Sequence, residues 1–334
     1  MRAPDFWWQR PGLLSTLLMP AACFYGAIAD RPFGKGKVPP LPLICVGNFV
    51  AGGAGKTPVA LALAALAQEE GLKPAFLTRG YGGRVGAIPS LVQPTHTAED
   101  VGDEALLLAR HRLCVVARDR RAGASMIADF EQPSNLILMD DGFQSATLKP
   151  THALLVVDHA RGLGNGLVIP AGPLRARLKT QIANADSLLV VRGAGRSAES
   201  VGQIRAAFEA VGKPVLGARL AIDVKPFWKE RKVIAFCGIA APEKFFGSLE
   251  AASLDLIARF SFPDHHTYRL RDLEPILADA HRNGAIILTT EKDKVRLKGR
   301  AEFSELLGSI EVVPAKIEFD EPERLRALLA ACLR

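Results

Sequence analysis

From Leu41 to Val191 short apolar runs alternate with stretches whose apolar residues recur at helical spacing. The strand candidates are Leu43 to Val46, Ala75 to Thr78, Leu113 to Ala117, Leu136 to Met139, Ala153 to Val157 and Ser187 to Val191. Helices such as Thr57 to Glu70 and Glu104 to His111 lie between them. Nearly continuous apolar runs are what strands buried on both faces require, so the pattern predicts a mostly parallel sheet flanked by helices. Periodicity fails over Lys225 to Lys232, where charge, Pro226 and Trp228 intervene. A second alternating block follows: strand Val233 to Cys237, a helix from Glu243, the apolar run Leu256 to Phe262, a helix Leu273 to Arg282, strands Ala285 to Thr289 and Ile310 to Val313, and a terminal helix from Glu321. The expected division is therefore an N-terminal segment 1–35, a larger α/β unit 36–224 and a second, smaller α/β unit 225–334 completing a cleft.

The N-terminal segment breaks this rhythm. It runs uncharged from Pro11 to Ala29, with Trp7 and Trp8 at one edge, Arg10 before it, and Arg31, Lys35 and Lys37 after it. Aromatic side chains favour the headgroup region and flanking cations favour anionic lipid, which predicts residence at an anionic membrane surface. Pro20 and the many small residues argue against a full span. A signal peptide is the rival reading, since Ala27-Ile28-Ala29 offers a cleavage pattern, but Asp5 and the motif downstream favour retention in the cytosol. A buried amphipathic helix is the third possibility.

Composition narrows the classes further. The 334 residues are 49% apolar and 23% charged, enough for one large core or two modest ones. The five cysteines, Cys23, Cys45, Cys114, Cys237 and Cys332, form neither a C-x-x-C pair nor a zinc spacing, and read as core residues of a reducing compartment. The net charge of +7 suits an anionic surface or a phosphorylated substrate. No interleaved basic and aromatic stripe accompanies it, so nucleic acid is not an expected partner.

Ligands of open parallel sheets sit beyond the carboxyl ends of the strands, and the residues there carry the chemistry. After the first strand stands Gly47-Asn48-Phe49-Val50-Ala51-Gly52-Gly53-Ala54-Gly55-Lys56-Thr57, opening a helix at Pro58. Glycines let backbone N–H groups converge on phosphate oxygens, a lysine supplies a point charge to the terminal phosphates, and a threonine offers its hydroxyl to Mg²⁺. Residues 50–57 are thus expected to hold ATP, although Val50 stands where the usual pattern has glycine. Leu136 to Met139 ends in Asp140-Asp141, a Walker-B-like pair whose burial calls for a cation. The fold class expected is α/β, P-loop NTPase-like. Gly102-Asp103-Glu104 opens a helix and reads equally as a dipole-complementing start. Arg79, the cluster Arg118-Asp119-Arg120-Arg121 and Arg175 follow strands or glycines, where phosphate contacts are plausible.

Together these segments resemble one family, the tetraacyldisaccharide 4'-kinases, over nearly the whole chain. The resemblance rests on Val46-Gly47-Asn48 leading into Gly52-Gly53-Ala54-Gly55-Lys56-Thr57-Pro58, on Arg79-Gly80-Tyr81-Gly82-Gly83, Gly102-Asp103-Glu104 and Asp140-Asp141-Gly142-Phe143-Gln144, and on Pro170-Ala171-Gly172-Pro173-Leu174-Arg175, Phe262-Pro263-Asp264-His265-His266 and Thr290-Glu291-Lys292-Asp293. It implies transfer of the ATP γ-phosphate to the 4'-hydroxyl of an acylated glucosamine disaccharide 1-phosphate, giving lipid IVA at the cytoplasmic face of a bacterial inner membrane. By the same resemblance Asp103 accepts the hydroxyl proton with His265 assisting, although His266 stands beside it. Lys56, Asp140 and Asp141 serve the transfer, and Thr57, Glu104, Asp140 and Asp141 organise Mg²⁺. Arg79, Tyr81, Arg120, Arg121, Gln144 and Arg175 contact substrate. Two positions depart from the family pattern, Ala176 and Ser145. The alternative is a membrane-associated P-loop ATPase of the partner-switching kind, which usually carries a further lysine inside the loop; here that position is Ala51.

Overall fold

The computed structural model describes residues 3–333 except Ala54, Gln132, Ala146, Ala194 and Arg196. Ala54 of the phosphate loop and Met1-Arg2 of the N-terminal segment therefore lie outside the described residues.

Strands β1 (Leu43–Asn48), β2 (Pro74–Thr78), β3 (Ser90–Leu91), β4 (Cys114–Val116), β5 (Leu136–Asp140), β6 (His152–Asp158), β7 (Ser187–Arg192) and β8 (Val215–Ile222) build the larger sheet. A smaller sheet holds β9 (Lys232–Cys237), β10 (Asp255–Ser261), β11 (Ile286–Thr290) and β12 (Ile310–Val313). The last strand, β13 (Ala315–Phe319), returns to the larger one, whose order is β13-β8-β7-β6-β1-β5-β2-β4-β3; the smaller runs β10-β9-β11-β12. Neighbours are parallel except β3 and β13, which close the two edges of the larger sheet antiparallel. Leu43 to Val46 and Leu136 to Asp140 are wholly buried and pair in register, Val46 opposite Asp140, so the phosphate loop and the acidic pair leave the sheet side by side.

Apolar clusters cover both faces of each sheet. The helix Lys56–Glu69 buries Val59, Ala60, Leu63 and Ala67 on one face of the larger sheet, and Pro322–Cys332 packs beside it through Leu325 and Leu329. The segment Lys225 to Lys232, expected as a linker or domain junction, docks onto the smaller unit. A 3-10 turn at Pro226–Glu230 drives Trp228 completely beneath the smaller sheet, against Val233 and Phe245. The expected boundaries also placed everything after 225 in the smaller unit, whereas β13 pairs with β8 and the final helix joins the larger core. Ala315-Lys316-Ile317-Glu318-Phe319 alternates apolar and polar residues as an edge strand does, so pairing with β8 buries Ile317 and leaves the lysine outward.

The N-terminal segment forms two helices, Leu13–Leu17 and Met19–Ala29, broken at Leu18 just ahead of Pro20. Their small faces turn inward: Ser15, Ala22 and Gly26 are buried. A Cβ at Gly26 would meet Arg177 at 3.3 Å, and Trp7 Nε1 donates to the Pro170 carbonyl at 2.9 Å. Leu13, Leu14, Leu17 and Phe24 face outward, Leu13 at 78% and Phe24 at 71% exposure. No helix among the described residues is long and apolar enough to cross a membrane.

Candidate active site

The phosphate loop begins as an extra edge pairing. Ala51 N–H donates to the Pro173 carbonyl at 2.8 Å, Arg175 N–H to the Phe49 carbonyl at 2.9 Å, and Val50 bridges Leu174. An extended residue in such a bridge needs no glycine, which accounts for Val50. The turn comes later, at Gly52 (φ 111°) and Gly55 (φ 81°), the latter capping the helix that starts at Lys56. Asn48 holds the loop's base by donating to the carbonyls of Val50 (2.8 Å) and Gly52 (3.2 Å).

The acids lie directly beneath. Thr57 Oγ1 donates to Asp140 Oδ2 at 2.8 Å, while Asp140 Oδ1 is buried without a partner among the described residues. Burial, then the charge of Glu104, push the Asp140 carboxyl up to about 7 despite Lys56. A fully buried carboxylate with an orphaned oxygen beside a threonine hydroxyl fits a divalent cation. No group of three or more His, Cys, Asp or Glu side chains closes around a point among the described residues. An ion here would complete its shell with phosphate oxygens and water. Asp141 is held differently. Against burial, Lys56 (3.7 Å) and Arg175 draw its carboxyl down to about 2. Arg175 grips both oxygens, at 2.7 and 3.3 Å, and anchors itself on the Val50 carbonyl at 3.1 Å. Arg120 is buried behind them, donating to the carbonyls of Ala117 (2.7 Å) and Asp141 (3.5 Å); burial lowers it to about 10, still charged near neutrality.

A second cluster meets this one across the two sheets. Asp103 starts a helix on the larger unit after Gly102, whose φ is 86° and where a Cβ would lie 2.5 Å from the Tyr81 carbonyl. His265, Lys292 and Arg296 reach it from the smaller unit. His265 Nδ1 lies 3.1 Å and Arg296 Nε 2.6 Å from Asp103 Oδ2. Burial alone would raise Asp103, but the His265 hydrogen bond and the Lys292 and Arg296 charges hold its carboxyl well below the ordinary range. Lys292 Nζ sits 3.1 Å from Glu104 and 3.8 Å from Asp264. His266 instead bonds Asp272 at 3.0 Å and stacks on Phe262, so His265 is the histidine facing Asp103. A second crossing lies on the other flank of the loop: Arg161 donates to the Ala240 carbonyl at 2.9 Å and to Glu243 at 2.8 Å, lies 4.9 Å from the Trp8 ring, and Lys244 pairs with Asp158.

A sequence profile described as Tetraacyldisaccharide-1-P 4'-kinase matches residues 14–334. The chain belongs to this 4'-kinase family. The enzyme named tetraacyldisaccharide 4'-kinase from Methylorubrum populi is 46% identical over 336 residues, covering 100% of this chain and 99% of its own. That of Agrobacterium fabrum is 43% identical, covering 96% and 91%. Among solved structures, LpxK from Aquifex aeolicus, crystallised in complex with ATP, superposes with a TM-score of 0.73 at 27% identity, over 96% of this chain and all of that one. The family reading thus prevails over the partner-switching ATPase.

Within this 4'-kinase the expected residues divide. Lys56, Thr57, Asp140, Asp141, Arg120 and Arg175 form one contiguous nest, and Asp103 and His265 form the second, with Glu104 between them. Tyr81 stays exposed with its ring 5.4 Å from that of His265, and Arg79 is exposed. Gln144 is committed inside the protein, donating to the Asn48 carbonyl at 2.7 Å. Arg121 points away and pairs with its own helix cap, Asp119. Ala176 is fully buried, and Ser145 Oγ donates to the Gly142 carbonyl at 2.7 Å, so neither departure opens a gap in the nest. Sequence reasoning missed Asn48, Asp264, Lys292 and Arg296 as site residues. The last two are four apart on one helix that directly follows a strand, a readable signal.

Proposed function

We propose that this chain transfers the γ-phosphate of ATP to the 4'-hydroxyl of a tetraacylated glucosamine disaccharide 1-phosphate, at the cytoplasmic face of the inner membrane. The observation that carries the reading is the meeting of Asp103 and His265, from opposite units, beside the nest around Lys56 and Asp140. The loop 50–57 cradles the phosphates, with Lys56 drawn toward the terminal ones and Arg175, braced on Val50, neutralising charge beside them. Thr57 and Asp140, with Glu104 nearby, would hold Mg²⁺, which when bound would offset phosphate charge. Asp103 accepts the sugar hydroxyl proton, while His265 keeps its carboxylate ionised and oriented. Tyr81 and Arg79 stand where the sugar enters.

The membrane half of the proposal rests on the outward row Leu13, Leu14, Leu17 and Phe24, with exposed Arg10, Arg31, Lys35 and Lys37 at its ends. Such a surface lies in an anionic interface rather than across it. The deciding experiment is transfer from labelled ATP to the tetraacylated disaccharide 1-phosphate in detergent micelles. Lys56→Ala and Asp103→Ala are expected to lose about a hundredfold or more; wild-type ATP hydrolysis that ignores lipid and yields no phosphorylated lipid would sink the proposal.

A further inference from the structure

Arg296 engages the larger unit more closely than its place on the smaller one requires. Its Nε donates to Asp103 Oδ2 at 2.6 Å and its Nη2 lies 2.5 Å from the same oxygen. Its Nη1 is tied behind, to the Gly238 carbonyl at 2.6 Å and to Asp293 Oδ1 at 2.7 Å. Asp293 is itself fixed: fully buried, it accepts from Gly238 N–H at 3.0 Å, Tyr268 Oη at 2.8 Å and Thr290 Oγ1 at 2.6 Å. The guanidinium is thus aimed by bonds internal to the smaller unit before it meets Asp103. With His265 Nδ1 also on Oδ2, that oxygen is saturated. Among the described residues Oδ1 takes only the Glu104 N–H, at 2.8 Å, and keeps acceptor capacity. Asp103 borders the cleft that Tyr81, His265 and Arg300 line.

We propose that Arg296 is the positioning residue of the reaction: by occupying Oδ2 it leaves Oδ1 as the oxygen presented to the sugar hydroxyl, and it does so only when the two units are together. Three side chains, Asp293, Tyr268 and Arg296, then act as one aiming device whose output is the geometry of Asp103. The inference rests on Asp103 as the base. It concerns aim, since Lys292 already supplies positive charge at 4.0 Å.

The test is single-turnover transfer by the full chain, with binding of a fluorescent ATP analogue and thermal melting measured on the same samples. Arg296→Lys keeps the charge and loses the fork, and is expected to slow transfer about ten- to a hundredfold with analogue affinity unchanged, any fall in melting temperature being the same in the Asp103→Asn background. In an Asp103→Asn background the same change should cost less than about twofold, because no base remains to aim. Tyr268→Phe, which removes one brace, should slow transfer a few-fold in the wild type and not in Asp103→Asn. Wild-type rates for Arg296→Lys, or equal losses in both backgrounds, would overturn the proposal. Should Arg296→Lys fail to fold, an unchanged rate for Tyr268→Phe overturns it alone. Full activity in Asp103→Asn would overturn the base reading instead, whereas its loss beside a normal Arg296→Lys sinks only the role given to Arg296.

Discussion

Asp140 shows how one side chain can be costly to the fold while serving the function proposed for the site. Its carboxyl is raised from 3.8 to about 7, so between those values the folded chain holds a proton that the unfolded chain has released. Stability from this group therefore falls as pH rises through that window and stays low above it. Asp141, lowered to about 2, works in the opposite sense, its contribution lost only as pH falls below the ordinary carboxylate range. Asp140→Asn is accordingly expected to melt higher than the wild type near about pH 8 without nucleotide, with the gap closing toward about pH 5, while transfer is lost. A melting temperature that drops at the higher pH would contradict the assignment of strain to this carboxylate. The nest of Lys56, Thr57, Asp140 and Asp141 was legible in the sequence because all four follow two strands that pair in register. Arg296 was only half legible: its place on a helix directly after a strand was a readable signal, but its partner Asp103 is 193 positions away in the chain. Only the folded arrangement of two sheets brings an arginine of one helix onto the first residue of another.

At the level of elements, the helix carrying Asp103 and Glu104 is aimed by what precedes it. Gly102 occupies the left-handed region with the Tyr81 carbonyl against its missing side chain, so Gly102→Ala adds both backbone strain and a clash. It is expected to cost about 1–3 kcal/mol of stability. Transfer should fall at least about tenfold while affinity for an ATP analogue holds, since Asp103 shifts and the phosphate loop does not. Equal losses of both would show that the two sites are not independently positioned. Long buried strands such as β1, β5 and β6 were visible as apolar runs. The two-residue β3 and the edge strand β13 were passed over because edge strands carry fewer apolar residues and their pairing is decided by neighbours, and β8, second from the edge, because Gly217 and Arg219 interrupt its apolar run. Trp228 misled for a related reason. Its charged flanks suggested a linker, while the indole itself is a core residue of the smaller sheet.

For the molecule as a whole, the N-terminal segment and the smaller unit are joined through Arg161, which touches Trp8 on one side and Ala240 and Glu243 on the other. The outward leucines and Phe24 are the quantity to vary. Replacing Leu13, Leu17 and Phe24 together with serine should weaken binding to phosphatidylglycerol vesicles by at least about tenfold, each buried side chain being worth about 1.5–3 kcal/mol at full insertion. Transfer to substrate in micelles should persist, and unaltered vesicle binding would refute the surface role. The return of β13 has a different consequence. The chain leaves the larger sheet after β8 and re-enters it at β13, and the two passages lie together, Asp223 N–H donating to the Pro314 carbonyl at 3.1 Å. The smaller unit is thus an insertion inside the larger one. During vectorial synthesis the nucleotide-binding sheet stays one strand and one helix short until the entire insertion has left the ribosome, so its unfinished β8 edge must remain protected for the time taken to make about a hundred residues.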